Sequence, residues 1–243
     1  MSRDEEQVAS VSYLKPVVIV IALVVASGLV SLVSINTHSA ATYVSRGEAY
    51  MEKGEFDRAI AEFTQAIQLD PKDAVVYAWR GVAYRNKGDF DQAMADLTQA
   101  IQLDPKYADA YIHRGEAYRE KGEFDRAIAD FTQVIQLDPK DADAYARRGY
   151  AYRKKGDFDQ AIADCTQAIG LDPKDANAYY QRGVAYRNKG ELDQAIVDYT
   201  EAIRLDPKDT DAYYHRGEAY KAKGETTKAD TDFEQAKELG YEP

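Results

Sequence analysis

The feature that most constrains this chain is a motif that recurs every 34 residues. An Arg-Gly pair marks it six times: Arg46-Gly47, Arg80-Gly81, Arg114-Gly115, Arg148-Gly149, Arg182-Gly183 and Arg216-Gly217. A period of this length predicts repeated supersecondary units that stack along one axis, each burying its apolar face against its neighbours. When repeat positions are counted from 1 at Ala40, every one of these arginines stands at position 7.

Each unit contains two stretches with apolar residues at helical spacing, separated by a turn that contains glycine. In the second unit, Tyr77 and Tyr84 share one face of the first stretch. Gly88 is expected to end that helix, because glycine readily adopts the left-handed cap conformation. Asp104-Pro105 is expected to end the second helix, because a proline disfavours helix in the residue before it. Each unit is therefore predicted to be a helical hairpin.

The repeated pattern, A-x-A-Y-x-x-R-G-x-A-Y-x-x-K-G-D-F-D-x-A-I-A-D-F-T-x-A-I-x-L-D-P-K-D, resembles the tetratricopeptide repeat family over residues 40–239. The resemblance implies an all-α fold, a right-handed superhelix (α-solenoid) of six helix-turn-helix hairpins. The predicted repeats are 40–73, 74–107, 108–141, 142–175, 176–209 and 210–243. The sixth repeat is expected to be a solvated cap, because Asp230 and Lys237 replace apolar residues of the earlier copies.

An apolar segment of nineteen uncharged residues, 17–35, precedes the repeats. Because a bilayer core needs about 20 apolar residues of helix, this segment is predicted to be a transmembrane signal anchor, between a 1–16 tail and a 36–39 linker. A cleaved signal peptide is the alternative, which would leave a secreted or periplasmic protein. Lys15 at the edge of the segment favours a single-pass topology with the repeats on the non-cytoplasmic side.

Composition excludes several kinds of partner and site. The formal net charge is −11, and no basic run interrupts the acidic repeats, so a nucleic-acid partner is not expected. Cys165 is the only cysteine, which excludes an intramolecular disulfide and a cysteine-based zinc site. No cofactor is expected. Because His113 and His215 stand three repeats apart, no catalytic or metal site is expected from the histidines either.

The candidate binding site lies on the first helix of each repeat, at positions 2, 5 and 9, opposite the Tyr and Arg-Gly face. The family resemblance implies that this face lines a concave groove that holds a partner segment. The candidate groove residues are Val75, Val82, Asp109, Ile112, Glu116, Asp143, Tyr150, Tyr180, Val184 and Tyr214. The three tyrosines are predicted to be anchors whose truncation spares the fold. A basic row follows at position 12: Arg85, Arg119, Arg153, Arg187 and Lys221.

The arginine at repeat position 7 recurs together with a carboxylate at position 23. The carboxylates are Glu62, Asp96, Asp130, Asp164, Asp198 and Asp232. The pattern indicates a structural ladder of ion pairs, since the arginines lie on the core-side arc of the first helix. A row of ligand-binding arginines is the alternative.

These features together favour a membrane-anchored, non-catalytic scaffold that binds a protein or peptide partner in the groove. The alternative is a structural protein whose superhelices stack end to end, so self-association stays open. The polar sixth repeat argues against extension from the C-terminal end.

Overall fold

The computed structural model of the protein describes residues 39–241 and two short strands that precede them. β1 (Val24–Val25) and β2 (Gly28–Leu29) form an antiparallel pair. Both strands fall inside the 17–35 segment, so at these four positions the structure has strand where the sequence predicts helix.

The remainder of the predicted transmembrane helix, and the 1–16 tail before it, lie outside the described residues. Among the residues that the structure does describe, no helix combines the length and the apolar character needed to cross a bilayer.

Residues 39–241 form twelve α-helices that pair in chain order into six hairpins, as an all-α solenoid requires. The first helices of the hairpins, called A helices here, are α1 (Ala40–Glu52), α3 (Ala74–Lys87), α5 (Ala108–Glu120), α7 (Ala142–Lys155), α9 (Ala176–Asn188) and α11 (Thr210–Ala222). The second, or B, helices are α2 (Phe56–Leu69), α4 (Phe90–Leu103), α6 (Phe124–Leu137), α8 (Phe158–Leu171), α10 (Leu192–Leu205) and α12 (Thr226–Glu238).

The ends of the helices follow the residues that the sequence marks. Helix α3 begins after Asp73, whose carboxylate accepts hydrogen bonds from two backbone amides of the first turn. It ends at Gly88, where φ is 91°, a conformation that an L-residue with a side chain rarely adopts. Helix α4 ends at Leu103, and Asp104 is extended before Pro105. The predicted ends of both helices of the hairpin are therefore confirmed.

Close packing within each hairpin explains the glycine at repeat position 8. A Cβ atom at Gly115 would lie 2.8 Å from a ring carbon of Phe131, so only glycine admits this aromatic ring at position 24. The residue at position 24 is fully buried in repeats one to five, including Phe63 and Tyr199. The Arg-Gly pair thus combines a polar contact at position 7 with a close helix approach at position 8.

The A helices form the inner layer of the solenoid. Helix α3 contacts α5, α7 contacts α9, and α9 contacts α11, in addition to the contacts that each makes with its neighbouring B helices. Side chains on the free face of these A helices therefore line one continuous surface across the repeats.

Candidate functional site

The groove on the inner layer contains a cavity of about 290 Å³ that spans helices α5, α7 and α9. The cavity is lined by Glu116, Arg119, Asp143, Ala146, Arg147, Tyr150, Asn177 and Gln181. These residues come from repeats three to five, so the site exists only because successive A helices lie side by side.

A charged network occupies one wall of this cavity. Glu116 is buried and accepts hydrogen bonds from Arg119 of its own helix at 2.7 Å and from Arg147 of the next repeat at 2.5 Å. Arg147 also donates to Asp143 at 2.7 Å. Because two arginines bind the Glu116 carboxylate, this buried charge is compensated and the network joins α5 to α7.

Tyr150 lies in the cavity between two guanidinium groups. The Cζ atom of Arg119 lies 5.2 Å from the centroid of the Tyr150 ring, and that of Arg153 lies 4.9 Å away. Cation–π contacts at this distance hold the ring in place without burying it in the core. Tyr150 therefore presents an aromatic surface in the cavity, as an anchor for a bound side chain would require.

Three of the five basic residues at repeat position 12 contact position 6 of the following repeat. The Nη1 atom of Arg85 is 3.3 Å from His113 Nδ1, and that of Arg187 is 2.9 Å from His215 Nδ1. Arg153 Nε donates to Gln181 Oε1 at 2.9 Å. In all three contacts an arginine of one A helix meets a neutral acceptor on the next, provided that the histidines are unprotonated.

The environment of both histidines favours the neutral imidazole. Burial, and then the charge of Arg187, lowers the pKa of His215 to about 4. Burial and Arg85 lower the pKa of His113 in the same direction. The Nδ1 atom of each ring is therefore free to accept the hydrogen bond from arginine at neutral pH.

At the C-terminal end, the groove is filled by the protein's own aromatic side chains. The ring centroid of Tyr180 lies 6.0 Å from that of Tyr199 and 5.9 Å from that of His215. Tyr214 stacks on Tyr241 with 4.3 Å between centroids. Two of the three tyrosines predicted as anchors are therefore engaged in the fold. Tyr180 packs against the buried Tyr199, so its truncation is expected to cost stability as well as binding.

The other candidate residues differ in how far they are exposed to solvent. Val82 and Val184 are buried beneath the groove surface, as is Glu116, whereas Val75 is 45% exposed. Asp109 is exposed and Ile112 half-buried. Of the ten candidate residues, Glu116, Asp143 and Tyr150 line the central cavity.

Sequence reasoning missed the residues at repeat position 6, which include Arg147 and Gln181 of the cavity lining. Position 6 lies only about 40° around the helix from position 2, at 100° per residue, so the same arithmetic could have found it. Its side chains vary from repeat to repeat, from Trp79 to His113 and Arg147, which hid the position in a search for recurring residue types.

The arginines at repeat position 7 form the predicted structural ladder. Arg148 donates from Nε and Nη2 to the two carboxylate oxygens of Asp164, both at 2.8 Å, and from Nη1 to Thr132 of the preceding repeat at 3.1 Å. Its guanidinium also lies 5.6 Å from the ring centroid of Tyr145. The hydrogen bond to Asp164 raises the pKa of Arg148. One arginine thus ties two B helices together, and the alternative of a ligand-binding row loses its support.

The only cysteine of the chain is not available as a nucleophile. Cys165 is fully buried against Gly149, and burial raises the pKa of its thiol to about 12. In the part of the chain that the structure describes, no group of three or more His, Cys, Asp or Glu side chains is placed to hold a metal ion. The side chains that line the groove cavity offer ionic, hydrogen-bonding and aromatic contacts.

Comparison with solved structures finds the same architecture. The crystal structure of MamA is 33% identical and has a TM-score of 0.62, covering 65% of this chain and 93% of its own. That of YrrB, described as a TPR protein with an unusual peptide-binding site, is 26% identical with a TM-score of 0.61, covering 73% and 92%. A tetratricopeptide repeat protein from Parabacteroides merdae ATCC 43184 has a TM-score of 0.74 at 20% identity, covers 84% and 80%, and shows the fold alone.

Family profiles match most of the repeat region, although no curated protein sequence is significantly similar to the chain. A profile described as TPR repeat matches residues 47–88, 83–120, 115–156 and 185–224. Profiles described as tetratricopeptide repeat match 142–175, 165–197 and 210–239. With these matches, and with helical hairpins throughout residues 40–238, the chain belongs to the tetratricopeptide repeat family.

Proposed function

We propose that this protein is a non-catalytic interaction scaffold that binds an extended or helical segment of a partner protein in the groove of its A helices. The peptide-binding site named for YrrB supports a peptide ligand for this chain. Recognition of a segment in a groove lets several repeats contribute at once, so modest contacts add up to useful affinity.

The observation that carries the proposal is the cavity between α5, α7 and α9. Its lining combines the aromatic face of Tyr150 with polar groups of Asn177 and Gln181, and its wall is held rigid by the Glu116 network. Aromatic anchors in preorganised pockets usually dominate the energy of an interface. Tyr150 is therefore the side chain expected to contribute most to binding.

The test is Tyr150→Ala in the full-length chain, with binding measured on the partner identified by crosslinking in the native cells. We expect affinity to fall at least tenfold, about 1.4 kcal/mol, while helical content stays unchanged. The matched control is Val197→Ala, which shortens a side chain that is 67% exposed on the B helix α10. Equal capture by both variants would show that the partner binds elsewhere.

Membrane attachment through residues 17–35 is part of the proposal and rests on the nineteen uncharged residues of that segment. We expect the full-length chain to stay with membranes after alkaline carbonate extraction, with the repeats on the non-cytoplasmic side. The intact mass of the purified protein distinguishes this anchor from a cleaved signal peptide, because cleavage would remove the apolar segment. Release into the carbonate supernatant would contradict attachment.

End-to-end self-assembly is the second candidate function, and the two ends of the ladder favour it. Arg46 is 52% exposed and has no preceding repeat to supply a threonine. At the other end, Glu234 is exposed at the position where the earlier repeats carry that threonine. Asp230 and Lys237 oppose close packing there, because both charges would have to be buried. Light scattering that shows monomers over a wide concentration range would exclude this candidate.

A further inference from the structure

Three arginines of the groove differ in their partners from all the other arginines of residues 39–241. In residues 39–241, every arginine forms an ion pair within 4.0 Å except Arg85, Arg153 and Arg187. These three stand at the same repeat position, on helices α3, α7 and α9. The arginines without an ion pair therefore recur at one repeat position and lie on one face of the solenoid.

The partners that these three arginines do have are neutral. Arg85 approaches the His113 ring and the Asn86 amide oxygen, Arg153 donates to the Gln181 amide oxygen, and Arg187 approaches the His215 ring. A guanidinium carries five N–H donors, and one or two neutral acceptors leave most of that capacity and the full charge uncompensated. All three side chains are half-buried, which makes an unpaired charge more costly than on the open surface.

The neighbouring repeat shows what a compensated site looks like. In the third repeat the arginine at this position is Arg119, and it binds the Glu116 carboxylate. The carboxylate that compensates Arg119 is thus supplied by the chain itself, one helical turn away. At the equivalent position the second and fifth repeats have Val82 and Val184, and the fourth has Tyr150, none of which can supply a charge.

We propose that the segment bound in the groove is acidic, and that its carboxylates pair with Arg85, Arg153 and Arg187 in place of the neutral acceptors. This inference rests on the groove binding proposed above and adds the chemistry of the partner. Arginine binds carboxylate through two parallel hydrogen bonds, which a single amide or imidazole acceptor cannot offer. The protein's net charge of −11 gives no general attraction for an acidic partner, so selectivity must come from this row.

The experiment uses two labelled peptides about twelve residues long, roughly 40 Å when extended, one alternating Glu and Tyr and the other alternating Gln and Tyr. Binding to the full-length chain is measured by fluorescence anisotropy. We expect the Glu peptide to bind at least tenfold more tightly than the Gln peptide. Equal binding of the two, or no binding of the Glu peptide by the wild-type chain, would overturn the proposal.

The variant that tests the residues combines Arg85→Gln, Arg153→Gln and Arg187→Gln, and is expected to lose the preference for the Glu peptide. The matched control removes three positive charges from exposed turns and is expected to keep the preference. It combines Lys106→Gln, Lys140→Gln and Lys174→Gln. Equal effects of the two triple variants would mean that general electrostatics explains the preference, and the proposal would fail.

A third variant with lysine at the three arginine positions guards against misfolding. The lysine variant keeps the three positive charges. If the glutamine variant loses the preference for the Glu peptide because it lacks these charges, and not because it misfolds, the lysine variant is expected to restore part of that preference. The outcome for the native partner separates the two proposals. Capture that needs Tyr150 but survives the arginine substitutions supports the groove and refutes the acidic ligand. Capture that survives both sets refutes the groove itself.

Discussion

Replacing Arg148 with alanine should destabilise the solenoid at the junction between the third and fourth repeats. The change removes two hydrogen bonds to Asp164, one to Thr132 and the cation–π contact with Tyr145. It also leaves the Asp164 carboxylate, whose side chain is only 7% exposed, without its positive partner. The unpaired carboxylate is expected to dominate the loss.

The size of the effect follows from the burial of the pair. Breaking a buried ion pair by removing one partner costs about 3–5 kcal/mol. Because the Arg148 side chain keeps 17% of its exposure, water can reach part of the site, and a loss of about 3 kcal/mol is expected. For a domain of this size that corresponds to a melting temperature lower by roughly 6–12 °C.

The matched control is Arg46→Ala, because Arg46 stands at the same repeat position but contacts only one oxygen of Glu62, at 2.7 Å, and is itself 52% exposed. Water that reaches this guanidinium weakens its pair, so a smaller loss of stability than for Arg148→Ala is expected. Urea denaturation of each full-length variant, followed by helical circular dichroism, measures the difference. A double-mutant cycle with Asp164→Ala should show that losing both partners costs less than the sum of the single changes. Equal stability of the Arg148 and Arg46 variants would refute the structural role of the ladder.

Two further predictions concern the C-terminal repeats. Tyr199→Phe should raise the free energy of unfolding by about 1 kcal/mol, because the Tyr199 hydroxyl is buried and has no hydrogen-bond partner in the described structure. A lower denaturation midpoint for the variant would show that the hydroxyl does have a hydrogen-bond partner, for example water. The pKa of His215 is lowered to about 4 in the folded state, so between pH 6.5 and 4 the unfolded chain binds the additional proton, and stability should fall as pH falls. Allowing for the partial exposure of the ring, the free energy of unfolding should fall by about 1 kcal/mol over this pH range. The variant His215→Gln, which has the residue found at the equivalent position 181, should show a smaller fall. A pH profile identical in wild type and variant would contradict this assignment.

The fold was predictable because repetition multiplies weak local signals. One Gly-containing turn or one Asp-Pro pair is common in proteins, but Gly88 and Asp104-Pro105 recur in register with the same apolar pattern. The ladder of Arg148 and its equivalents could be predicted for the same reason, since charges that recur at two core-facing positions must compensate each other within the fold. The recurring turn residues thus determine where the helices end, and the recurring arginine–carboxylate pairs determine how neighbouring hairpins are joined.

The site was less predictable because it depends on what varies between repeats. Tyr180 looked like a free aromatic anchor, but its ring packs against Tyr199 from its own B helix and His215 from the next repeat. Val184 has the right helical angle for the groove, yet the larger side chains around it leave it buried. Helical angle predicts the direction in which a side chain points, whereas exposure depends on the volume of neighbours that are distant in sequence.

Photo-crosslinking can show whether the partner binds on the inner face of the solenoid, as proposed. The most direct test places a photo-crosslinking amino acid at position 150 in the groove, or at position 197 on the outer helix, and irradiates the full-length protein in its native cells. We expect a covalent adduct with one partner protein from position 150 and none from position 197. Adducts from position 197 alone would show that the partner binds on the outer face.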